Sequence, residues 1–215
     1  TVTMFQNSSG SWEIQTPTGA SVSTSGTVTQ GFNEALAYAV TNGFNFVFDG
    51  RATNGASQIV SCTGPLIVPA ADKMSIRVYG TFDCDPTTSS DPALQFTGAV
   101  TFCNIVFDAF IQYKGSGKAI DVTPGGNFAQ NDITFPQINV PDGTGHPTSL
   151  LYFDITEAGA TIAQNRFHVR PLIGGSADNG ADSDYGILVP STVGSGSVFR
   201  YNNIVVDNII GPDTA

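Results

Sequence analysis

Four stretches of this chain repeat one pattern: Cys103-Asn104-Ile105-Val106-Phe107, Asn131-Asp132-Ile133-Thr134-Phe135, Asn165-Arg166-Phe167-His168-Val169 and Asn202-Asn203-Ile204-Val205-Val206. Each opens with Asn, Cys103 apart, and then alternates polar with apolar residues. Three residues beyond each copy stands another apolar residue: Phe110, Ile138, Leu172 and Ile209. A shorter pair precedes each copy: Leu94/Phe96, Ile120/Val122, Leu151/Phe153 and Ile187/Val189, at spacings of 26, 31 and 36 residues. Period-two alternation puts one set of side chains on one face of a strand. A repeat of strands joined by turns of unequal length predicts stacked β-coils, because no single coil can bury its apolar face alone. A recurring Asn at one corner suits an amide ladder between coils, since its side chain both donates and accepts.

Working outward, residues 1–28 are rich in Ser, Thr and Gly and read as a lead-in loop or short strand pair. One helix is expected over Gln30–Asn42. Phe32, Ala35, Leu36, Ala39 and Val40 form a single apolar stripe, Thr29 stands at the N-cap place and Gly43 at C′. Phe44 to Gly50 then reads as a strand ending in a turn. Further on, Ile76, Val78, Phe82 and Cys84 share one strand face, while Arg77, Tyr79, Thr81, Asp83 and Asp85 share the other. Gly80 marks a bend in that run. Two domains of unequal weight follow: a lead-in of residues 1–28 and a β-domain of residues 29–215.

The composition narrows the function. The chain has 215 residues and a net charge of −10, and only 12% of its residues are charged. Its pI is about 4.2. Eight scattered basic residues offer no footprint for phosphate, so a nucleic-acid partner is not expected. No apolar run approaches the ~20 residues of a spanning helix, so no membrane insertion is expected. The N-terminus shows no signal-peptide pattern, and the missing initiator Met suggests processing or excision. With 24 Gly and 12 Pro, turns are frequent, as short strands require. Three cysteines without a CxxC and two histidines make a zinc site improbable, and no cofactor is expected. Cys62, Cys84 and Cys103 are expected as stacked interior residues of successive coils, either as buried thiols or with one neighbouring pair bridged.

An amphipathic helix, a Gly, the strand Phe46-Val47-Phe48-Asp49-Gly50 and then coils opening on Asn-x-apolar-x-apolar resemble the pectin-lyase-like right-handed β-helix superfamily. Within it the chain is most similar to bacteriophage tailspike and tail-fibre proteins. The resemblance covers about residues 29–211. It implies an all-β fold: a right-handed single-stranded parallel β-helix, about six or seven coils long, with an N-terminal capping α-helix. It also implies a homotrimer on a virion surface, outside the cell, that meets other virion proteins and a host surface polysaccharide. Some members cleave that glycan. The acid pairs and Gly-His-Gly element of polygalacturonase-type members are absent, so no catalytic residue is carried over. The expected function is therefore recognition without catalysis; a polysaccharide depolymerase and an inert stalk or adaptor are the alternatives.

Candidate site residues come from the outward strand places. Asp83 and Asp85, i and i+2 on one face, lie ~7 Å apart, inside the separation used by glycosidase carboxyl pairs. Asp108 falls about one coil later, and Tyr79 with Arg77 offers a stacking ring and a cation. The bland reading is an ordinary acidic surface. Arg166, His168 and Arg170 put three basic groups on one strand face, for an acidic sugar or for pairing with neighbouring carboxylates. The segment Gly174–Asp184 carries Asp178, Asp182 and Asp184 on a Gly-rich stretch. It reads as a long polar turn and a candidate glycan contact; its spacing fails the calcium motifs. Val106, Thr134, His168 and Val205 occupy the outward place between core positions, which either a subunit contact or β-propensity explains.

Overall fold

The computed structural model describes residues 1–51, 59–141, 146–174 and 185–210. Half the chain is strand, and among the described residues there is one helix, α1 (Val28–Thr41). The strands form three sheets. Sheet I holds Leu66–Val68, Leu94–Thr97, Lys118–Thr123, Ser149–Phe153 and Ile187–Leu188. Sheet II holds Ala71–Asp72, Val100–Thr101, Asn127–Ala129, Thr161–Ala163 and Val198–Arg200. Sheet III, with 13 strands, is built around Phe46–Asp49, Ser75–Cys84, Asn104–Tyr113, Asp132–Phe135, Arg166–Val169 and Asn203–Val206.

From Leu66 onward the chain visits sheets I, II and III in that order, five times over. Each strand pairs in parallel with its counterpart from the round before, as in Leu94 with Ile120 and Ile105 with Ile133. That cyclic order is compatible with a β-helix. Sheet III is mixed, because Val2–Gln6, Trp12–Gln15 and Ser21–Ser25 join it as antiparallel hairpins. Val2–Gln6 also pairs in parallel with Phe46–Asp49, so the lead-in segment belongs to the same sheet and core.

The apolar places of the repeat point inward and meet in one core. Phe96 from sheet I packs on Phe128 from sheet II and Phe135 from sheet III, with ring centroids 5.8 Å apart in both pairs. Phe153 and Phe167 continue the stack at 5.1 Å. At the N-terminal end α1 lays Phe32, Ala35, Leu36 and Ala39 on this core, with Phe32 against Phe46 and Phe48. The expected N-cap moves from Thr29 to Thr27. Ser25 Oγ accepts the Thr27 N–H and donates to the Thr27 carbonyl, which ends the strand there and starts the helix two residues early. Thr29 Oγ1 instead accepts the Thr63 N–H at 3.4 Å. Gly43, at φ 66°, takes the C′ place as expected.

The corner between sheets II and III carries the Asn ladder. Asn131 Oδ1 accepts the Cys103 N–H at 2.9 Å, and Asn131 Nδ2 donates to Val100 O and Asn165 Oδ1. Asn165 repeats the pattern toward Phe128 O and Asn202 Oδ1. The residue before each corner is left-handed at φ 53–58°: Lys73, Phe102, Gln130, Gln164 and Tyr201. Two sequence expectations change here. Cys103 does not stack with Cys62 and Cys84; it fills the Asn place of its corner, while Cys62 and Cys84 are register partners in sheet III. Phe110 faces outward, beside Thr81 and Gln137, and Ile111 takes the inward place opposite Ile138. The two lower strands run unbroken for ten residues, whereas Pro136 and Pro171 interrupt the upper ones and shorten the link by one residue.

At the other end of the stack the core opens. Phe167, Val169 and Leu172 are fully buried, yet their counterparts one round later, Ile204 and Val206, are only half-buried, and Ile209 is 47% exposed. Among the described residues no helix is long and apolar enough to cross a membrane.

Candidate functional site

The parallel register turns the outer face of sheet III into a grid. One column runs Val47, Arg77, Val106, Thr134, His168 and Val205. Beside it run Ser75, Asn104, Asp132, Arg166 and Asn203. On the other side stand Asp49, Tyr79 and Asp108, then Arg170 and Asp207 just past their strands. Six strands at ~4.8 Å spacing make the grid about 24 Å long. Four of the five arginines, Arg51, Arg77, Arg166 and Arg170, belong to this face or its edge. A cleft of about 320 Å³ lies on it, lined by Asp132, Thr134, Arg166, Phe167, His168 and Val205.

Charge on the grid is largely paired along one edge. Arg51 holds Asp49 through two bonds of 2.7 and 2.8 Å and lies 4.6 Å from the Tyr79 ring centre. The Arg51 hydrogen bond draws the Asp49 carboxyl below its ordinary range against a smaller upward push from burial. One side of the Tyr79 ring is thus covered by a cation rather than open for stacking. Arg170 reaches Asp108 at 3.0 Å, and His168 Nε2 sits 2.8 Å from Asp207 Oδ1. The basic trio therefore splits: His168 pairs with the next round, Arg170 reaches back two rounds, and Arg166 faces the cleft. Arg77 is likewise exposed.

Asp83 and Asp85 do not form an open acid pair. Lys114 Nζ lies 2.7 Å from Asp83 Oδ1 and 2.8 Å from Oδ2. That carboxylate holds the Lys114 ammonium above its ordinary value, with Asp85 adding a weaker pull. Asp108 is out of their reach: it pairs in register with Tyr79, whereas Asp83 pairs with Gln112, four residues along. The offset amounts to roughly 13 Å along the strand. Asp178, Asp182 and Asp184 lie outside the described residues.

A second cluster escaped the sequence reading. On the outer face of sheet I, Asp121 is buried between Gln95 and Tyr152 in register. Burial pushes its carboxyl up, and Lys118, 3.6 Å away, only partly offsets the push. Asp121 Oδ1 has no hydrogen-bond partner among the described residues. Lys118 Nζ also lies 3.6 Å from the Tyr152 ring centre. Asp154 stands diagonally across, about 7 Å away by strand geometry, and is tied to Thr156 through its N–H and hydroxyl. The signal was present in the place between each short apolar pair, which reads Gln95, Asp121, Tyr152 and Leu188; only register shows that these stack. Beneath Lys118 and Tyr152 the Asp121 carboxyl is closed to a sugar-sized ligand.

Comparison with protein-family models, curated proteins and solved structures finds no match.

Proposed function

We propose that this chain is a right-handed parallel β-helix of the pectin-lyase-like kind, similar to bacteriophage tailspikes, that binds a bacterial surface polysaccharide without cleaving it. The observation carrying this reading is the division of charge on sheet III. Of the candidate acids Asp83 is engaged by Lys114 and Asp108 by Arg170, while Arg77 and Arg166 stand exposed among Ser, Thr and Asn side chains, with Asp132 beside Arg166. A glycan lying along the grid would meet hydroxyl, amide and guanidinium donors, with no close pair of free carboxylates among the described residues to split it. Assembly as a homotrimer, contact with other virion proteins and a place on the virion surface belong to the same proposal.

The test is incubation with a panel of bacterial capsular and lipopolysaccharide glycans, followed by size analysis and retention on immobilised protein. The expected result is retention of at least one glycan at unchanged length. Replacing Arg77 and Arg166 together by Ala then weakens retention about 10- to 100-fold. Shortened glycan would establish a depolymerase instead, and Asp83→Asn with Asp85→Asn would be the first variants to make. No retention by any glycan would leave a stalk. Sedimentation at micromolar concentration tests the trimer, and a 22.4 kDa monomer would remove it. A change of sedimentation in the arginine variant would assign sheet III to subunit contact rather than to glycan.

A further inference from the structure

Cys62 and Cys84 are direct register partners on neighbouring parallel strands, both inward and both nearly fully buried. Neighbouring strands lie about 4.8 Å apart, within the 4.4–6.8 Å Cα separation that a disulfide spans. The neighbouring Cys62 thiol, together with burial, pushes the Cys84 thiol up. Cys103 is elsewhere, at the Asn corner, with its sulfur 3.3 Å from Thr101 O. The Ile59–Cys62 strand has one partner among the described residues, the far half of Ser75–Cys84. Peeling that edge strand uncovers both sulfurs together.

The chain just after Cys62 carries the helix. Thr63 donates its N–H to Thr29 Oγ1, Ile67 donates its N–H to Asn33 Oδ1 at 2.8 Å, and Asn33 Nδ2 donates to Pro65 O at 3.1 Å. These bonds clip α1 onto the first round of strands.

We propose that Cys62 and Cys84 form a latent disulfide that locks the helix-capped end of the molecule under oxidising conditions. The oxidant is a small-molecule disulfide, RSSR. One protein thiolate attacks a sulfur of RSSR, forms an S–S bond and expels RS⁻. The second protein thiolate attacks the protein sulfur of that mixed disulfide and expels the other RS⁻. The protein loses two electrons and two protons, and RSSR leaves as two RSH. The bond closes the Thr63–Asp83 segment into a loop and ties the helix-bearing round to the next one. This inference stands independently of the glycan reading.

The test is incubation of the folded protein with glutathione disulfide, then thiol counting in denaturant and mass mapping. The expected outcome is a fall from three thiols to one, a mass loss of about two hydrogens, and a crosslinked peptide pairing Cys62 with Cys84. Helix residues 28–41 then exchange amide hydrogens more slowly, and Tm rises. Cys103→Ser keeps the crosslink, and Cys62→Ser abolishes it. Three persisting thiols, glutathione adducts alone, or a bridge involving Cys103 would each overturn the proposal. The wild-type map decides the matter even where a Cys variant does not fold.

Discussion

Removing the Asn131 side chain deletes three hydrogen bonds at once and strands the Cys103 N–H and the Val100 carbonyl beside the core. Each stranded group costs about 1–3 kcal/mol. Asn131→Ala is therefore expected to lower stability by about 3 kcal/mol and Tm by roughly 10 °C, read by thermal melting. Cys103→Asn tests the same physics in reverse. By the register of the ladder, an amide at 103 would accept the Met74 N–H, as Asn131 accepts that of Cys103, and donate to Ala71 O, one round below, as Asn131 does to Val100. The expected gain is about 1 kcal/mol. Asp121 gives a pH signature. Burial raises its carboxyl, so the native chain holds that proton more tightly than the unfolded one. Stability from this group is full below the unfolded pKa and is lost as pH rises through the folded one. Asp121→Asn should thus melt above wild type at pH 7, with the two converging near about pH 4. A variant melting lower at pH 7 would show that the Lys118 pair outweighs the burial.

Gly80 sits at φ 140° in the middle of the Ser75–Cys84 strand, where a Cβ would lie 3.3 Å from Gly50 Cα. Backbone rather than a flexible side chain blocks it, so Gly80→Ala should cost about 1–3 kcal/mol in urea unfolding, despite alanine's smaller chain entropy. The special place of Gly80 was legible in the sequence, as were the helix stripe, the inward residues of each repeat and the Asn corner. All of these are local periodicities. The left-handed corners were not legible, because Gln130, Gln164 and Tyr201 are neither Gly nor Asn. Phe110 was misread because an apolar residue three places on fits either face until the register is known. The candidate site was less legible still. Arg170, His168 and Asp83 could be placed on outward faces, but their partners Asp108, Asp207 and Lys114 come from other rounds, and no spacing along the chain encodes that pairing.

On the scale of the molecule, its two ends differ. One is closed by α1, whose Phe32, Ala35, Leu36 and Ala39 are fully buried; at the other, Ile204 and Val206 are half-buried and Ile209 is exposed among the described residues. Where each strand pairs in parallel with its counterparts in the rounds on either side, stability approaches a sum of local and nearest-neighbour terms. Amide exchange should therefore slow step by step from Asn203–Val206, through Arg166–Val169 and Asp132–Phe135, to Asn104–Tyr113. Uniform protection across the four would mean a single cooperative unit. A graded profile makes the molecule behave as a zipper with its slider at one end. Thermal fraying would travel inward from the open rim, and any polypeptide that seated there would stiffen every round beneath it.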